Sequence, residues 1–251
     1  MPEVLRAGRA AFTFLTIVPV GGFPYSDAAW RWSAAWFPFV GLCLGFAGAG
    51  VFTLLRPAGA GVAAVAALTL TVLLTGAFHE DGLADTADAL GGAYDRERLF
   101  AILKDSRIGT YGAMALVTSF ALRGASLASL DADAPQALVV AHMAARVTPV
   151  CLMAVMPYAT SSDTSKSRPV VRGAGPQAIA AIVFASAALW AGVDQGLLPL
   201  ALVGALALGL GVVALASGAY FRRRAGGITG DFLGATEQIN EATILVTLAM
   251  W

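Results

Sequence analysis

His79-Glu80-Asp81-Gly82-Leu83-Ala84-Asp85-Thr86-Ala87-Asp88 follows directly on an apolar run that begins at Gly61. A dense carboxylate cluster at the mouth of a membrane bundle is costly unless it binds a cation or performs chemistry. Ionisable groups in that position are functional candidates first. The stretch therefore predicts both an all-α, polytopic membrane protein and the place where that protein works.

Composition agrees. The 251 residues are 58% hydrophobic and only 13% charged, against roughly 25% charged in a soluble domain. Mean hydropathy is +0.74. The apolar runs reach, or nearly reach, the roughly 17–25 residues that cross a bilayer. They divide the chain into about seven spans: 36–55, 61–78, 110–130, 137–156, 178–194, 197–219 and 238–251. The whole chain, 1–251, reads as a single membrane-embedded domain. Phe12–Val18 is too short to cross and reads as an interfacial or re-entrant element. No cleaved signal peptide is expected, because the first apolar stretch ends at Pro19 without a small-residue cleavage pattern. Cys43 and Cys151 sit in apolar runs without ligand-spaced neighbours and read as packing residues. A formal net charge of zero gives no support for a nucleic-acid partner. Oligomeric state is left open.

Basic residues set the topology. Arg6, Arg9 and Arg31 precede the first span, and Arg96, Arg98, Lys104 and Arg107 follow the second. Lys166, Arg168 and Arg172 follow the fourth, and Arg222–Arg224 the sixth. The opposite connections hold only Arg56, a bias of 13 to one. The positive-inside rule then puts the N-terminus and the long loops in the cytoplasm. Arg123 and Arg146 lie inside spans and require an anionic partner or a water-filled cavity.

On a helix turning about 100° per residue, Asp81, Asp85, Asp88 and Asp95 fall at about 0°, 40°, −20° and −40°. They share one face, while Leu83, Ala87 and Leu90 lie opposite as a packing face, and Gly91-Gly92 loosens the place of Asp95. Unpaired carboxylates on one face raise one another's pKa. A hard divalent cation removes that repulsion, and aspartate oxygens suit Mg²⁺. The plainer alternative is a solvated acidic helix, or a salt-bridge network with Arg96 and Arg98. His79 and Glu80 sit off the stripe.

Lys104-Asp105-Ser106-Arg107-Ile108-Gly109-Thr110-Tyr111-Gly112 sets two cations, a carboxylate and a hydroxyl before the third span. Gly109 and Gly112 allow close backbone approach, and amides at a helix start receive phosphate oxygens. It is not a Walker A sequence. A third polar group begins at Gly230-Asp231 and continues through Glu237, Asn240 and Glu241. Glu237 and Glu241, four apart, share a helix face. Asp231 is placed to complete a metal shell, and Glu237 and Glu241 to position a second substrate or a metal.

These motifs resemble the cobalamin synthase family, the adenosylcobinamide-GDP ribazoletransferases. The matching residues are Phe14-Leu15-Thr16 with Pro19, Pro38-Phe39-Val40-Gly41, His79 through Asp88, and Lys104-Asp105-Ser106 with Gly109 and Gly112. They continue with Pro157-Tyr158-Ala159, then Gly230-Asp231 with Gly234-Ala235, Glu237 and Glu241. After Tyr158-Ala159 the sequence departs from the family's Arg-then-Gly pattern, with Arg168 or Arg172 left to supply that cation. The resemblance implies a multi-pass enzyme of the bacterial cytoplasmic membrane, in contact with lipid. It would join adenosylcobinamide-GDP to alpha-ribazole, or to its 5′-phosphate, and release GMP with Mg²⁺ as cofactor.

On that reading Mg²⁺ is held by Asp81 and Asp85 with Asp88 or Asp231. Lys104 and Arg107 take the diphosphate, Asp105 is counted with them as catalytic, and Glu80 and Asp88 are alternative general bases. His79, Ser106, Gly109, Gly112, Arg146, Tyr158, Glu237 and Glu241 would contact substrate. The ribazole 5′-hydroxyl is the expected nucleophile. Two other readings compete. A CDP-alcohol phosphotransferase would accept CDP-diacylglycerol, although its Asp-x-x-Asp-Gly…Asp-x-x-x-Asp pattern is not cleanly present. A cation-coupled transporter would place its charges near the bilayer midplane on broken spans.

Overall fold

The computed structural model describes residues 2–159, Val170 and 175–251, so Lys166, Arg168 and Arg172 lie outside the described residues. The apolar runs form helices: α1 (Glu3–Leu15), α2 (Asp27–Ser33), α3 (Phe37–Leu55), α4 (Ala60–Thr75), α5 (Phe78–Gly92) and α6 (Arg96–Ile102). They continue as α7 (Thr110–Leu130), α8 (Ala134–Ala145), α9 (Val147–Val155), α10 (Gly175–Asp194), α11 (Leu200–Ala225) and α12 (Gly230–Ala249). Among the described residues there is no β-strand, only an isolated bridge between Tyr158 and Ile228.

Four continuous helical stretches are long and apolar enough to cross a bilayer: Asp27–Ala58, Thr110–Val155, Gly175–Asp194 and Leu200–Ala225. This is a membrane protein. The stretch Thr110–Val155 is a hairpin. Ser119 and Arg123 meet Gln238 and Glu241 in rising order, so α7 runs parallel to α12. His142 and Arg146 meet Glu241 and Glu237 in falling order, so α8 runs antiparallel to it. The chain reverses at Asp131, whose φ is 45°. α10 and α11 lie at the periphery and turn Ile179, Val183, Leu208 and Leu215 outward, as lipid-facing helices do.

Several expected boundaries move, among them 197–219, which is Leu200–Ala225, and 137–156, which breaks at Arg146 into α8 and α9. The second span ends at Thr75, not 78. Gly76 and Ala77 both take left-handed backbone (φ 62° and 56°), and α5 leaves α4 at 90°. The acidic stretch is thus a separate helix lying across the end of the bundle. The last helix begins at Gly230 rather than 238 and is 20 residues long, which brings Asp231 onto it. Phe12 through Leu15 closes α1, and Ile17 donates its amide to Leu74 O at 2.9 Å, fastening the extended chain to the end of α4.

The tightest contact in the bundle is that of α3 with α8. A Cβ on Gly41 would stand 2.1 Å from the His142 carbonyl oxygen, and one on Gly45 would stand 2.6 Å from Val139 Cα. Small residues at such crossings let backbones touch where the hydrophobic effect gives no drive. Gly41→Ala is expected to destabilise the solubilised protein by about 1–3 kcal/mol, the usual cost of overpacking. Thermal unfolding measures it, with Gly50→Ala, where nothing lies within 4 Å, as the unperturbed control. At the far end, Arg56 forms a bidentate pair with Asp131 at 2.8 Å, so the lone basic residue of those connections is paired.

Candidate active site

α5 packs against α12 through two glycines. A Cβ on Gly82 would come within 2.9 Å of Asp231 O and 3.2 Å of Gly234 Cα, and one on Gly234 within 3.4 Å of Gly82 Cα. At Gly82 only a residue without a side chain allows this approach, whereas a Cβ on Gly234 would make ordinary van der Waals contact. Thr229 caps α12, its hydroxyl accepting the Phe232 amide at 3.2 Å, and so fixes where Asp231 enters the helix. The crossing brings Asp231 to the Asp81–Asp85 stripe. Asp81 is exposed, whereas Asp85 and Asp231 are half-buried. Burial, and then the nearby Asp81, Asp231 and Asp88 carboxylates, push the Asp85 carboxyl up to about 6. Besides burial, these carboxylates raise one another's pKa, and a cation bound among them would relieve that repulsion. Hard oxygen donors of this kind fit Mg²⁺.

Asp88, expected as a metal ligand or a base, does something else here. Its Oδ2 accepts the Gly109 amide at 2.6 Å and its Oδ1 the Gly112 amide at 2.8 Å. The chain's own carboxylate therefore occupies the start of α7 that the sequence offered to a substrate phosphate, which is favourable at a helix N-terminus. Any Cβ on Gly109 or Gly112 would sit 2.5 or 2.4 Å from an Asp88 oxygen. Asp95 leaves the stripe altogether and caps α6, accepting the Arg98 amide at 2.7 Å. The buried face of α5 runs through His79, Gly82, Leu83, Thr86 and Ala89, while Ala87 and Leu90 are only half-buried.

Lys104, Ser106 and Arg107 are exposed on the loop between α6 and α7, beside Asp88. Asp105 accepts both the backbone amide and the side chain of Arg107, at 3.1 and 2.7 Å, and that cation holds its carboxyl down to about 2. Asp105 shapes the loop. An exposed pair of this kind is worth little, so Arg107 can exchange Asp105 for a phosphate. Tyr158 is tied to the same end of the molecule: Ala159 N donates to Ile228 O at 2.8 Å and Ile228 N to Pro157 O at 2.9 Å. Arg224 bonds the Ala93 carbonyl at 2.7 Å and so joins the end of α11 to the end of α5; Arg222 and Arg223 stay exposed.

Beneath the cluster lies a buried ionic network. Arg146 Nη1 is 2.8 Å from Glu237 Oε1, and His79 Nδ1 is 3.6 Å from Glu237 Oε2. Arg123 reaches Glu241 at 3.0 Å and Glu80 at 3.6 Å, and His142 Nδ1 lies 3.1 Å from Glu241 Oε2. Gln238 donates to Glu237 at 3.1 Å, and Asn240 to the Ala145 carbonyl at 3.3 Å. His79, Arg146, Glu237 and Glu241, expected against substrate, are thus partnered with one another and buried. The sequence reading missed His142 and Gln238. The signal for His142 was present, an ionisable group in a span one helical turn before Arg146. Replacing Arg146 by Met would strand Glu237, a loss of about 3–5 kcal/mol for a broken buried pair. The Tm of the purified variant reads it.

Apolar helices around a buried ionic network, with a carboxylate cluster and a cationic loop at one mouth, define an integral-membrane bundle with a polar site at its end. A profile of the family described as cobalamin-5-phosphate synthase matches residues 7–249. The chain belongs to that family. It is 43% identical to an adenosylcobinamide-GDP ribazoletransferase of Bradyrhizobium diazoefficiens, covering 98% of this chain and 94% of that one. It is 40% identical to the same-named protein of Leptothrix cholodnii (92% and 90% covered) and 37% to that of a Polaromonas species (99% and 98%). No solved structure matches.

Proposed function

We propose that this chain transfers the phosphocobinamide group of adenosylcobinamide-GDP to alpha-ribazole or its 5′-phosphate, releasing GMP. The reaction takes place on the cytoplasmic face of a bacterial inner membrane. The observation that carries this reading is the Gly82–Gly234 crossing, which sets Asp231 beside Asp81 and Asp85 in a chain of this family.

Asp81, Asp85 and Asp231 would hold Mg²⁺. Bound there, the ion would neutralise diphosphate charge and favour departure of GMP. Lys104 and Arg107 bind the diphosphate from the exposed loop, and Asp88, by gripping the start of α7, keeps that loop against the cluster. The nucleophile expected from the sequence needs correction. A cobalamin 5-phosphate keeps a phosphate on that oxygen, so the 5′-hydroxyl is not free to attack when the acceptor is phosphorylated, and a ring hydroxyl of the ribose must do so. As its oxygen bonds to the cobinamide-side phosphorus, the diphosphate bridge breaks and its electrons leave with GMP. Asp88 accepts an amide on each oxygen, whereas Glu80 Oε2 has no hydrogen-bond partner, so of these two carboxylates Glu80 is the better placed to receive the proton.

Reconstituted protein given alpha-ribazole with adenosylcobinamide-GDP should release GMP, and with CDP-diacylglycerol should release no CMP. The reverse preference would move the chain to lipid chemistry. Lys104→Ala should raise the KM for the cobinamide donor about tenfold, the loss of one charge-assisted contact of about 1.4 kcal/mol. Initial rates over a donor series measure that shift.

A further inference from the structure

Beneath the acidic cluster, a side chain from a third helix bridges the two helices that carry it. Arg123 of α7 is 1% exposed. Its Nη1 stands 3.0 Å from Glu241 Oε1, and its Nη2 stands 3.6 Å from Glu80 Oε1. Glu80 immediately precedes Asp81 on α5, and Glu241 lies on α12, the helix of Asp231. The guanidinium is therefore a strut of fixed shape between the two sources of carboxylate. Glu241 is in turn steadied by His142 through its other oxygen, at 3.1 Å. Arg123 and Glu241 are buried and Glu80 is largely so, which strengthens the pairing and lets the spacing of the fork bear on both helices.

We propose that Arg123 is a positioning residue for the divalent-cation site: by bridging Glu80 and Glu241 it sets the separation of Asp81 and Asp85 from Asp231. This rests on the reading of the acidic cluster as a metal site. A purely structural Arg123 would only neutralise two buried carboxylates. The two roles separate when charge is conserved or balanced while the fork is lost.

Mn²⁺ binding to the purified full chain, followed by electron paramagnetic resonance, tests this without relying on turnover. Wild type should bind Mn²⁺ and Asp85→Asn should not. Arg123→Lys keeps the charge, but one ammonium does not span both carboxylates as the fork does, and the Mn²⁺ Kd should rise about tenfold. Arg123→Met alone leaves Glu80 without its cation and Glu241 with His142 only, and is expected to unfold readily. The double variant Arg123→Met with Glu241→Gln removes opposite charges together. It should recover much of the lost Tm while its Mn²⁺ Kd stays about tenfold above wild type, because Glu80 remains unanchored. Wild-type Mn²⁺ affinity in both Arg123→Lys and the double variant would overturn the positioning role. Failure of wild type itself to bind Mn²⁺ would overturn the metal reading, and the positioning role with it; the wild-type trace tells these results apart.

Discussion

Asp85→Asn should abolish GMP release, by about 100-fold or more, and yet raise the melting temperature of the metal-free protein. The loss follows from removing the carboxylate at the centre of the anionic set, since electrostatic contributions to transfer chemistry are of that size. The gain follows from the same geometry. Asp85 is pushed from 3.8 up to about 6 by burial and by Asp81, Asp231 and Asp88, so its charge is unfavourable in the folded, metal-free state. A group whose folded pKa is raised contributes stability that is fully present below its unfolded pKa and is lost as pH rises through the folded value. For Asp85 that window runs from 3.8 to about 6. The variant has no such loss, so its advantage in Tm should be larger near about pH 7.5 than near about pH 5. Thermal unfolding in chelator at both pH values reads the sign. A variant less stable than wild type near pH 7.5 would mean that the cluster is not strained by its own charge.

Gly82→Val should cost both stability and metal affinity, although it removes no ligand. A Cβ at that position meets Asp231 O at 2.9 Å and Asp231 Cα at 3.2 Å, backbone atoms that yield only if α5 and α12 part. Overpacking of this kind costs about 1–3 kcal/mol. Moving the helices apart also separates Asp231 from Asp81 and Asp85, so the Mg²⁺ concentration for half-maximal GMP release should rise at least about tenfold, a shift of about 1.4 kcal/mol. A rate-against-Mg²⁺ series measures the second effect separately from the first. If Tm falls and the Mg²⁺ requirement does not change, Asp231 does not share a cation with α5.

Most of the fold was legible because apolar length and charge placement are sequence properties: the predicted span 110–130 is α7 to the residue. The bend at Gly76-Ala77 was not, since hydropathy runs on through Phe78 while the backbone turns on two left-handed residues. The true start of α12 was hidden because Gly230 through Glu237 is too polar to read as a buried helix, and its burial depends on Arg146, His79 and Arg123 arriving from elsewhere in the chain. The convergence of Asp81, Asp85 and Asp231 at one end was readable from loop charge and helical period. The fate of Asp88 was not: the same pattern that makes a carboxylate a ligand also makes it a cap, and only the placement of Gly109 and Gly112 decides. Arg123 and Arg146 demanded anionic partners by their position alone, but periodicity could not choose among Glu80, Glu237 and Glu241.

The most direct test of the central claim is to strip the reconstituted protein of metal, supply adenosylcobinamide-GDP and alpha-ribazole, and quantify GMP and the joined corrinoid in the same sample as Mg²⁺ is returned. No product is expected without Mg²⁺, with equimolar appearance of the two products once it is added. GMP without joined corrinoid, or an unchanged rate in chelator, would contradict the claim.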